Sequence, residues 1–407
     1  MISVQDANAI IQKQLFELDT EIIDLNNSSD RILAQDISAN FPSPKFDNSA
    51  MDGFAVKSKD TIGASQNNII TLKNIGLSSA GMPSDLNLKP GECIQCMTGA
   101  KIPNGADAIV MVEDSSGFSD NQNVQIMKQV DKGIHIRFKG EEIKKGDILV
   151  RRGNQITTSE IGASATFGYN ELIISKKPKV AIFGTGNELV EPGKDLKEGE
   201  IYNSNLFVFA DLAQKAGAEI SIRNIIKDDK SSLKSFLIKA LESCDVVISS
   251  GGISMGRYDY VREVLIELGV KEHFWKVAQK PGKPLFFGTK KNTLIFGLPG
   301  NPVSSYIGFM IWVWPILRKL MGSKETSTIK AILAEPFPLE KFKYRFLFGK
   351  AWIEKGEIKC KPSTKVGSHM LTSALESNCI LSSDKGEGSL NQGEFIDLHI
   401  LPWKTIK

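Results

Sequence analysis

Histidine and cysteine are both scarce in this chain, with four histidines and five cysteines among 407 residues. The odd number of cysteines and their wide spacing argue against a disulfide framework and for reduced thiols. Only Cys93 and Cys96 are close together, in an apolar stretch where residues three apart point to opposite faces of a strand. Without a second CxxC or a nearby histidine, we predict ordinary strand cysteines, with a metal or redox site as the alternative.

A membrane-spanning run is missing as well. The longest apolar run extends from Tyr306 to Leu317, is too short to cross a bilayer and is interrupted by Pro315. The N-terminal segment has an early acidic residue and lacks the basic-then-apolar pattern of a signal peptide. We therefore expect a soluble, cytoplasmic protein with no membrane partner.

The chain also has little net charge, since 50 lysines and arginines against 47 aspartates and glutamates leave +3. Proteins that bind nucleic acid or anionic membranes along their length usually carry a larger or more clustered excess. We therefore expect no nucleic-acid partner, and an anionic ligand that is small and held in one pocket. An apolar content of 41% and 35 glycines exclude wholesale disorder. At about 150 residues per domain, the length predicts roughly two to three domains.

Strand and helix patterns alternate between residue 178 and about residue 322. This alternation predicts a parallel sheet covered by helices on both faces. The predicted strands are KVAIFGTG, IRNII, DVVISSGG, PLFFG and TLIFG, and the predicted helices are LFVFADLAQKAG, SSLKSFLIKALESC and DYVREVLIELG. Gly217 is placed to end the first of these helices, and Asn301 and Pro302 are placed to open a last one.

The segments on either side of this region differ in pattern. Ser3 is placed to cap a first helix. Short β-rich runs separated by turns predict a mostly β module from Asp47 to about Gly140. GDILVRRGNQI predicts a hairpin, which is followed by a helix near 158–166 and the strand ELIIS. Short strands return in the last part of the chain and predict a small barrel or sandwich.

Three predicted strands of the α/β region are followed by glycine-rich loops, GTGNE, SSGGISMG and GLPGNP. Ligands of open α/β sheets bind beyond the carboxyl ends of the strands, where backbone N–H groups and a helix N-terminus can hold phosphate. A tight turn explains one such loop, but three at one edge favour a phosphate site, although neither GxGxxG nor GxxxxGK[ST] occurs. The candidate binding residues in these loops are Ser250, Gly251, Gly252, Ser254, Pro299, Gly300, Asn301 and Pro302.

Charged residues lie at the same predicted edge. Glu188 follows the first loop, Asp228 follows the second strand and Asp259 follows the SSGG loop. Helix capping explains Asp228 and Asp259 one at a time. Together, the three carboxylates would repel phosphate unless a hard cation such as Mg²⁺ bridges them to it, so all three are candidate metal ligands. Lys276 and Lys280 lie in a stretch whose Pro and Gly argue against a helix, and their ammonium groups can bind a phosphate or an oxyanion there.

Six stretches of the chain resemble sequence blocks of one known family. They are FDNSAMDGFAV, MTGAKIPNGADAIVMVED, GTGNEL, DVVISSGGISMGRYDYV, FWKVAQKPGKP and GLPGNPVSS. By these blocks the chain resembles the molybdopterin molybdenumtransferases, which include the bacterial MoeA proteins and the E domain of gephyrin. The blocks run in family order over residues 46 to 305, and the flanking regions are compatible, so the resemblance covers essentially the whole chain.

The resemblance implies an elongated homodimer with an α/β multidomain fold. Its four parts would be a discontinuous linking domain over 1–45 and 141–176, an inserted β domain over 46–140, a MogA-like α/β three-layer domain over 177–325 and a C-terminal β-barrel over 326–407. It also implies an active cleft between the α/β and C-terminal domains of one subunit and the β domain of the other.

The resemblance further implies an activity in molybdenum cofactor biosynthesis. Such enzymes use adenylylated molybdopterin and molybdate, with Mg²⁺, to give molybdenum cofactor and AMP. The molybdopterin adenylyltransferase of the preceding step is a further expected partner. Carried over by matching position, the functional residues are Asp52, Thr98, Glu188, Asp228, Asp259, Lys276, Lys280 and Ser368.

Two residues depart from the family pattern. An arginine usual in the C-terminal domain corresponds to Lys350, a candidate substrate-binding residue that cannot form the bidentate fork of arginine to an oxyanion. Arg257 stands where an acidic residue is common and adds a positive charge beside the phosphate loop. Both departures bear on metal preference and affinity more than on the reaction.

Three alternative functions share part of this pattern. A molybdopterin adenylyltransferase resembles the α/β domain alone, so the chain length and the DNSAMDG module argue against it. A non-catalytic dimeric scaffold, a role that the gephyrin E domain also has, is disfavoured by the retained acidic and lysine positions. A tungsten-inserting paralogue stays open, because molybdate and tungstate have the same charge and nearly the same shape.

Overall fold

The computed structural model of the chain describes residues 1–119, 121–253, 260–324 and 328–406. These divide into two compact units, each built from separate segments of the chain. Unit 1 comprises Met1–Gln35, Arg152–Thr158 and Glu171–Lys407, and unit 2 comprises Asp36–Arg151 and Ser159–Asn170. Within the described ranges, no helix combines the length and the apolar character that a bilayer crossing requires.

A six-stranded sheet forms the centre of the α/β region in unit 1. Its first four strands pair in parallel, and each of the last two pairs antiparallel with the strand before it. In spatial order the strands are Glu219–Ile226, Lys179–Thr185, Val246–Ser250, Thr293–Leu298, Pro284–Lys290 and Lys271–Lys276. The helices of this region are Asn205–Lys215, Lys230–Ser243, Val261–Glu267, Pro302–Gly308 and Trp314–Leu320, with a π-helical turn over Phe309–Val313.

The prediction of a wholly parallel sheet is wrong at one edge. Pro284–Lys290 and Thr293–Leu298 are joined by only Lys291 and Asn292, with Lys291 at φ +51°. A parallel connection needs a crossover of a dozen or more residues, so a link of this length can only make an antiparallel hairpin.

Both faces of the sheet are covered, as the alternation of strands and helices predicts. Val180 and Ile182 pack into one apolar cluster, and Ala181 and Phe183 pack into another. This division follows from the period of two along a strand, which sends successive side chains to opposite faces. The predicted helix ends are confirmed too: Gly217, at φ +96°, follows the C-cap of Asn205–Lys215, and Asn301 is the N-cap before Pro302.

Unit 1 also contains the two ends of the chain. The N-terminal helix Val4–Gln12 is capped by Ser3, whose Oγ accepts a hydrogen bond of 3.0 Å from the Asp6 N–H. The strand Thr20–Asp24 pairs antiparallel with Glu171–Ser175. Toward the C-terminus, five strands pair in a closed ring, which confirms the predicted barrel. In order around the ring they are Tyr344–Glu354, Glu357–Pro362, Thr328–Leu333, Phe395–Ile400 and Cys379–Ser383.

Unit 2 is mostly β-structure, as its short β-rich runs predict. Its five-stranded sheet has the order Ala108–Met111, Gly53–Val56, Glu92–Cys96, Ile70–Ser78 and Asn123–Ile126. Two short pairs accompany it, Asn48–Ser49 with Ile136–Arg137 and Ile37–Ser38 with Ile148–Val150. The helix Thr158–Thr166 lies almost wholly in this unit.

The predicted hairpin within GDILVRRGNQI is wrong. Ile148–Val150 pairs with Ile37–Ser38, and Gln155 forms a bridge with Ile32. Each half of the segment therefore pairs with an earlier part of the chain instead of with the other half. Tertiary pairing has overridden the local turn signal here.

The cysteines are structural. Cys93 and Cys96 lie in one strand, are fully buried and belong to different apolar clusters, as residues three apart on a strand should. Burial raises the pKa of Cys93 to about 12 and that of Cys96 to about 11. All five cysteines are free and buried, so the prediction of reduced strand cysteines at the CxxC is confirmed.

Candidate functional site

A cavity of about 1030 Å³ opens at the carboxyl end of the parallel strands of unit 1. Its walls include the three glycine-rich loops on the sheet side and part of the C-terminal barrel. The volume suits a ligand larger than a mononucleotide fragment, since ligand pockets commonly span about 300–1,000 Å³. The predicted site residues that line it are Glu188, Asp228, Ser250, Gly251, Gly252, Lys280, Pro299, Gly300, Asn301, Pro302 and Ser368.

The SSGG loop lies close against its neighbours because it contains two glycines with positive φ. Gly251 has φ +85° and Gly252 has φ +71°, a region that side chains rarely adopt. A Cβ on Gly252 would lie 2.6 Å from Thr185 Oγ1 and closer still to a methyl group of Val261. The Gly251 N–H donates to the Leu298 carbonyl at 2.9 Å, which fixes this loop to the strand that precedes GLPGNP.

Asn205 joins two of the loops. It is the first residue of its helix, and its Nδ2 donates to Ser250 Oγ at 2.8 Å and to the Gly300 carbonyl at 2.7 Å. Nearby, Asn203 is 2% exposed and lines the cavity, and its Nδ2 has no hydrogen-bond partner among the described residues. A buried donor without a partner is costly, so a ligand oxygen that reached Asn203 would be favoured.

The two carboxylates in the described part of the cavity are not used as helix caps. Asp229, not Asp228, caps Lys230–Ser243 by accepting from the N–H groups of Ser231 and Ser232, and hydrogen bonds from Ser232 and Ser231 lower its pKa. The capping alternative for Asp228 is therefore wrong. Asp228 Oδ2 instead accepts from the Asn187 N–H at 3.2 Å, which anchors it to the first glycine-rich loop.

Glu188 is held on the same loop by the shape of the backbone. Its carboxylate oxygens lie 2.5 and 2.6 Å from the place where a Cβ on Gly186 would be. A side chain at position 186 would displace this carboxylate from its present place. The third predicted acidic residue, Asp259, lies outside the described residues, as do Ser254 and Arg257.

The donor set fits a magnesium ion. Among the described residues, no group of three or more His, Cys, Asp and Glu side chains is arranged to hold a metal. Mg²⁺ does not need such a cage, because proteins usually bind it through one or two carboxylates, with water and substrate phosphate completing an octahedron. Asp228 and Glu188 supply hard oxygen donors at the edge where phosphate would bind.

The barrel side of the cavity is cationic. Gln279–Lys280 pairs with the barrel strand in a register that sets Lys280 opposite Arg345. Lys280 Nζ lies 2.5 Å and Arg345 Nη1 lies 3.4 Å from the same oxygen, Glu340 Oε1. The Arg345 side chain is 7% exposed, and its Nε has no partner among the described residues. Burial lowers the pKa of Arg345, and Glu340 opposes that shift.

Ser368 and Ser373 complete the barrel side. Ser368 Oγ accepts from Asn301 Nδ2 at 3.2 Å, and its carbonyl accepts from the Val303 N–H at 3.0 Å. Ser373 lines the cavity, and its buried Oγ has no partner among the described residues. The cavity thus has two carboxylates toward the sheet and two cations toward the barrel.

Three protein-family models match successive parts of the chain. The model described as the MoeA N-terminal region (domain I and II) matches residues 2–168, the probable molybdopterin binding domain matches 181–319 and the MoeA C-terminal region (domain IV) matches 330–401. The molybdopterin molybdenumtransferase of Staphylococcus aureus strain Mu50 is 35% identical over 98% of this chain and 95% of its own. The chain belongs to the molybdopterin molybdenumtransferase family.

Two further relatives support this membership. The molybdopterin molybdenumtransferase of Haemophilus influenzae is 34% identical over 98% of each chain. The crystal structure of the molybdopterin biosynthesis MoeA protein from Pyrococcus horikosii has a TM-score of 0.85 and 31% identity, covering 98% of this chain and 99% of that one. The resemblance and the fold class inferred from the sequence are confirmed, and as a member of the molybdopterin molybdenumtransferase family the chain is a transferase.

Among the described residues, four predicted site residues of this family member are not part of the cavity lining: Lys276, Lys350, Asp52 and Thr98. Lys276 ends its strand with Nζ 3.9 Å from the centre of the Trp275 ring. Asp52 and Thr98 belong to unit 2 and contact each other: one Asp52 oxygen accepts from the Thr98 N–H at 2.6 Å and from its Oγ1 at 2.8 Å. These hydrogen bonds lower the pKa of Asp52.

Sequence reasoning about this molybdopterin molybdenumtransferase family member missed Arg345. Lys350, which the sequence analysis matches to an arginine usual in the family, is exposed and does not line the cavity, whereas Arg345 is buried and lines it. The available signal was a lone charge within YRFLF, a run of large apolar side chains, since a charge inside a buried strand usually has a partner or a function. Asn205 gave no such signal, because an Asn at a helix start is explained by capping.

Proposed function

We propose that this family member inserts molybdenum into molybdopterin in molybdenum cofactor biosynthesis, using adenylylated molybdopterin and molybdate with Mg²⁺ and releasing AMP. The observation that carries the proposal is the cavity itself. Three glycine-rich loops and two carboxylates meet there with Lys280 and Arg345, which suits a ligand with a phosphate bridge beside a site for a small dianion.

The sheet side of the cavity would hold the phosphate bridge. The SSGG and GLPGNP loops and the positive end of the helix Pro302–Gly308 lie at this edge and favour phosphate oxygens. The N–H groups of Gly251 and Val303 already donate to the Leu298 and Ser368 carbonyls, so they hold the loops in place and do not bind the ligand. Asn205 keeps the two loops at a fixed separation through Ser250 and Gly300.

Glu188 and Asp228 would hold Mg²⁺, with Asp259 as the third proposed ligand. When bound, the ion would polarise the phosphate bridge and offset the repulsion between the substrate and these carboxylates. Asn187 holds Asp228 toward the cavity through its backbone N–H, and Gly186 leaves room for Glu188. The role of this chain is thus to fix the oxygen donors before the substrate arrives.

The barrel side would hold molybdate. Lys280 and Arg345 offer charge, and Ser368 offers a hydroxyl group to a tetrahedral dianion. Because an oxygen of molybdate or of water can attack phosphorus, the reaction needs no protein nucleophile. With water as the nucleophile, its oxygen bonds to the phosphorus on the pterin side, the bond from that phosphorus to the bridging oxygen breaks, and AMP leaves with the bridging oxygen. The two thiols of the pterin would then replace one oxygen of molybdate, which leaves as water, so the metal is bound to both sulfurs with no change of oxidation state. The groups of this chain act by positioning and by stabilising charge.

Other parts of the proposal rest on family membership. They are the roles of Asp52, Thr98, Lys276, Lys350 and Ser254, the homodimer, the contact with the adenylyltransferase, the cytoplasmic location and the four domains with the boundaries given above. Buried, reduced cysteines support an intracellular location, because disulfides are rare in the cytosol.

The direct test is AMP release from adenylylated molybdopterin by the purified protein with Mg²⁺, with molybdate, with tungstate and with neither. Molybdate-dependent AMP release that leaves metal on the cofactor would support the proposal. The tungstate reaction assigns the metal, and tight binding of the ligand without turnover would indicate a scaffold or carrier instead. Full activity after replacing both Asp228 and Asp259 by Asn would contradict the proposed role of the carboxylates.

A further inference from the structure

The two cations on the barrel side of the cavity share one carboxylate. Glu340 Oε1 lies 2.5 Å from Lys280 Nζ and 3.4 Å from Arg345 Nη1. Lys280 and Arg345 line the cavity, whereas Glu340 is not among the lining residues. The two cations therefore face a binding space on one side and a fixed negative charge on the other.

We propose that Glu340 is an internal counter-carboxylate that competes with the oxyanion substrate for Lys280 and Arg345 and so sets the affinity of the cavity for molybdate. This inference rests on the proposed function, and it adds a residue that determines how tightly that function's second substrate binds. Neither the motifs nor the helix-capping patterns of the sequence indicate such a role for residue 340.

The arrangement of the three side chains supports competition. Lys280 has a flexible, half-exposed side chain, so its ammonium group can move between Glu340 and a ligand. Arg345 is buried and cannot move as far, and its Nε stays without a partner while Glu340 contacts Nη1. A dianion that entered the cavity would draw Lys280 away from Glu340 and compete with Glu340 for the charge of Arg345.

The charge balance indicates the direction of the effect. With Glu340 ionised, the pair of cations has one counter-charge already, and an incoming dianion is repelled by that carboxylate. The hydrogen bond and charge of Lys280 lower the pKa of Glu340, so it stays ionised in the neutral range. Removing its charge leaves a buried guanidinium undercompensated, a state that binding of an anion relieves.

The test is the affinity of the full chain for molybdate, measured by isothermal titration with sodium molybdate, in the wild type and in Glu340→Gln. Gln keeps the size and the carbonyl oxygen but removes the charge. We expect Glu340→Gln to bind molybdate about fivefold more tightly, in line with the modest size of part-exposed charge interactions. In a Lys280→Gln background the gain should shrink, because one of the contested cations is gone.

A matched control is available in the same barrel. Glu335 pairs with Lys361 at 2.9 Å, and both side chains are about half exposed, but neither residue lines the cavity. Glu335→Gln should leave molybdate affinity at the wild-type value. A thermal melt of each variant shows whether it folds, and if Glu340→Gln does not, Glu340→Asp retracts the carboxylate by one methylene and should give a smaller gain.

The possible outcomes separate this inference from the proposed function. If the wild type binds molybdate and Glu340→Gln binds it equally or more weakly, Glu340 does not compete and the inference is wrong, while the proposed function stands. If the wild type neither binds molybdate nor releases AMP in its presence, the proposed function fails and the inference fails with it. An equal gain in Glu335→Gln would show a general charge effect and would also overturn the inference.

Discussion

Thr98 donates both its backbone N–H and its hydroxyl group to the same oxygen of Asp52, at 2.6 and 2.8 Å. Thr98→Ala removes the hydroxyl donor, so we expect the pKa of Asp52 to rise and AMP release to fall about tenfold, as for a lost hydrogen bond to a charged group. Thr98→Ser keeps the hydroxyl donor, so the pKa of Asp52 and the rate of AMP release should stay at their wild-type values. Carboxyl NMR titration and turnover check this, and an unchanged Asp52 titration in Thr98→Ala would contradict it.

The two adjacent glycines of the SSGG loop allow backbone strain to be separated from steric collision. Both have positive φ, but a Cβ on Gly252 would collide with Thr185 and Val261, whereas the nearest atom to a Cβ on Gly251 is 3.4 Å away. We expect Gly251→Ala to cost about 1–2 kcal/mol of unfolding free energy from backbone strain, and Gly252→Ala about 2–4 kcal/mol because overpacking adds to it. Urea unfolding measures both, and equal losses would show that the collision is relieved by movement of Val261.

Arg345 and Lys350 are two candidates for the residue that binds the molybdate oxyanion. Arg345 is buried in the cavity wall and Lys350 is exposed outside the lining. We expect Arg345→Lys to raise the KM for molybdate about tenfold, since lysine loses the fork of donors. Lys350→Ala should raise the KM for molybdate less than Arg345→Lys does. A larger rise in Lys350→Ala would return the role to Lys350, as the resemblance alone suggests.

His399 makes the stability of the barrel depend on pH. Its Nε2 lies 3.0 Å from Ser382 Oγ and its Nδ1 lies 3.2 Å from Thr328 Oγ1. Burial lowers its pKa from 6.5 to about 4, with Asp397 opposing the shift. Between these values the unfolded chain binds a proton that the folded chain does not, so stability is complete above pH 6.5 and falls as the pH drops toward 4.

Protonation of His399 in the unfolded chain lowers the free energy of unfolding by up to about 3 kcal/mol at the acid end of this range. His399→Gln keeps a polar partner for Ser382 and does not titrate, so its unfolding free energy should change less between pH 7 and pH 5. Urea unfolding of the two proteins at both pH values measures the difference. Identical pH slopes would show that the pKa of His399 is the same in the folded and unfolded chains and would contradict this prediction.

The α/β region could be predicted well because its signals are local. Buried strands are apolar runs, and helix ends carry their own markers, such as Gly217 and Pro302. The pairing of strands could not be predicted from the sequence in the same way. Nothing near GDILVRRGNQI indicates that Ile148–Val150 pairs with Ile37–Ser38, more than a hundred residues earlier, because strand partners are chosen by tertiary packing.

The cavity was predicted to a similar extent. Ligands bind beyond the carboxyl ends of parallel strands, and this rule predicts from the sequence alone that the glycine-rich loops, Glu188 and Asp228 lie at one edge. The barrel side was harder, because Arg345 reaches the cavity through the pairing of Gln279–Lys280 with its strand. Only the three-dimensional register shows that Glu340 meets both cations.

The five buried cysteines have a consequence for metal handling. Burial raises the pKa of every one of these thiols, so at neutral pH the protein presents almost no thiolate of its own. Thiolates, not thiols, bind soft metals. In the proposed transfer of molybdenum to the sulfurs of the substrate, the five thiols of this chain would therefore not compete with the substrate for the metal.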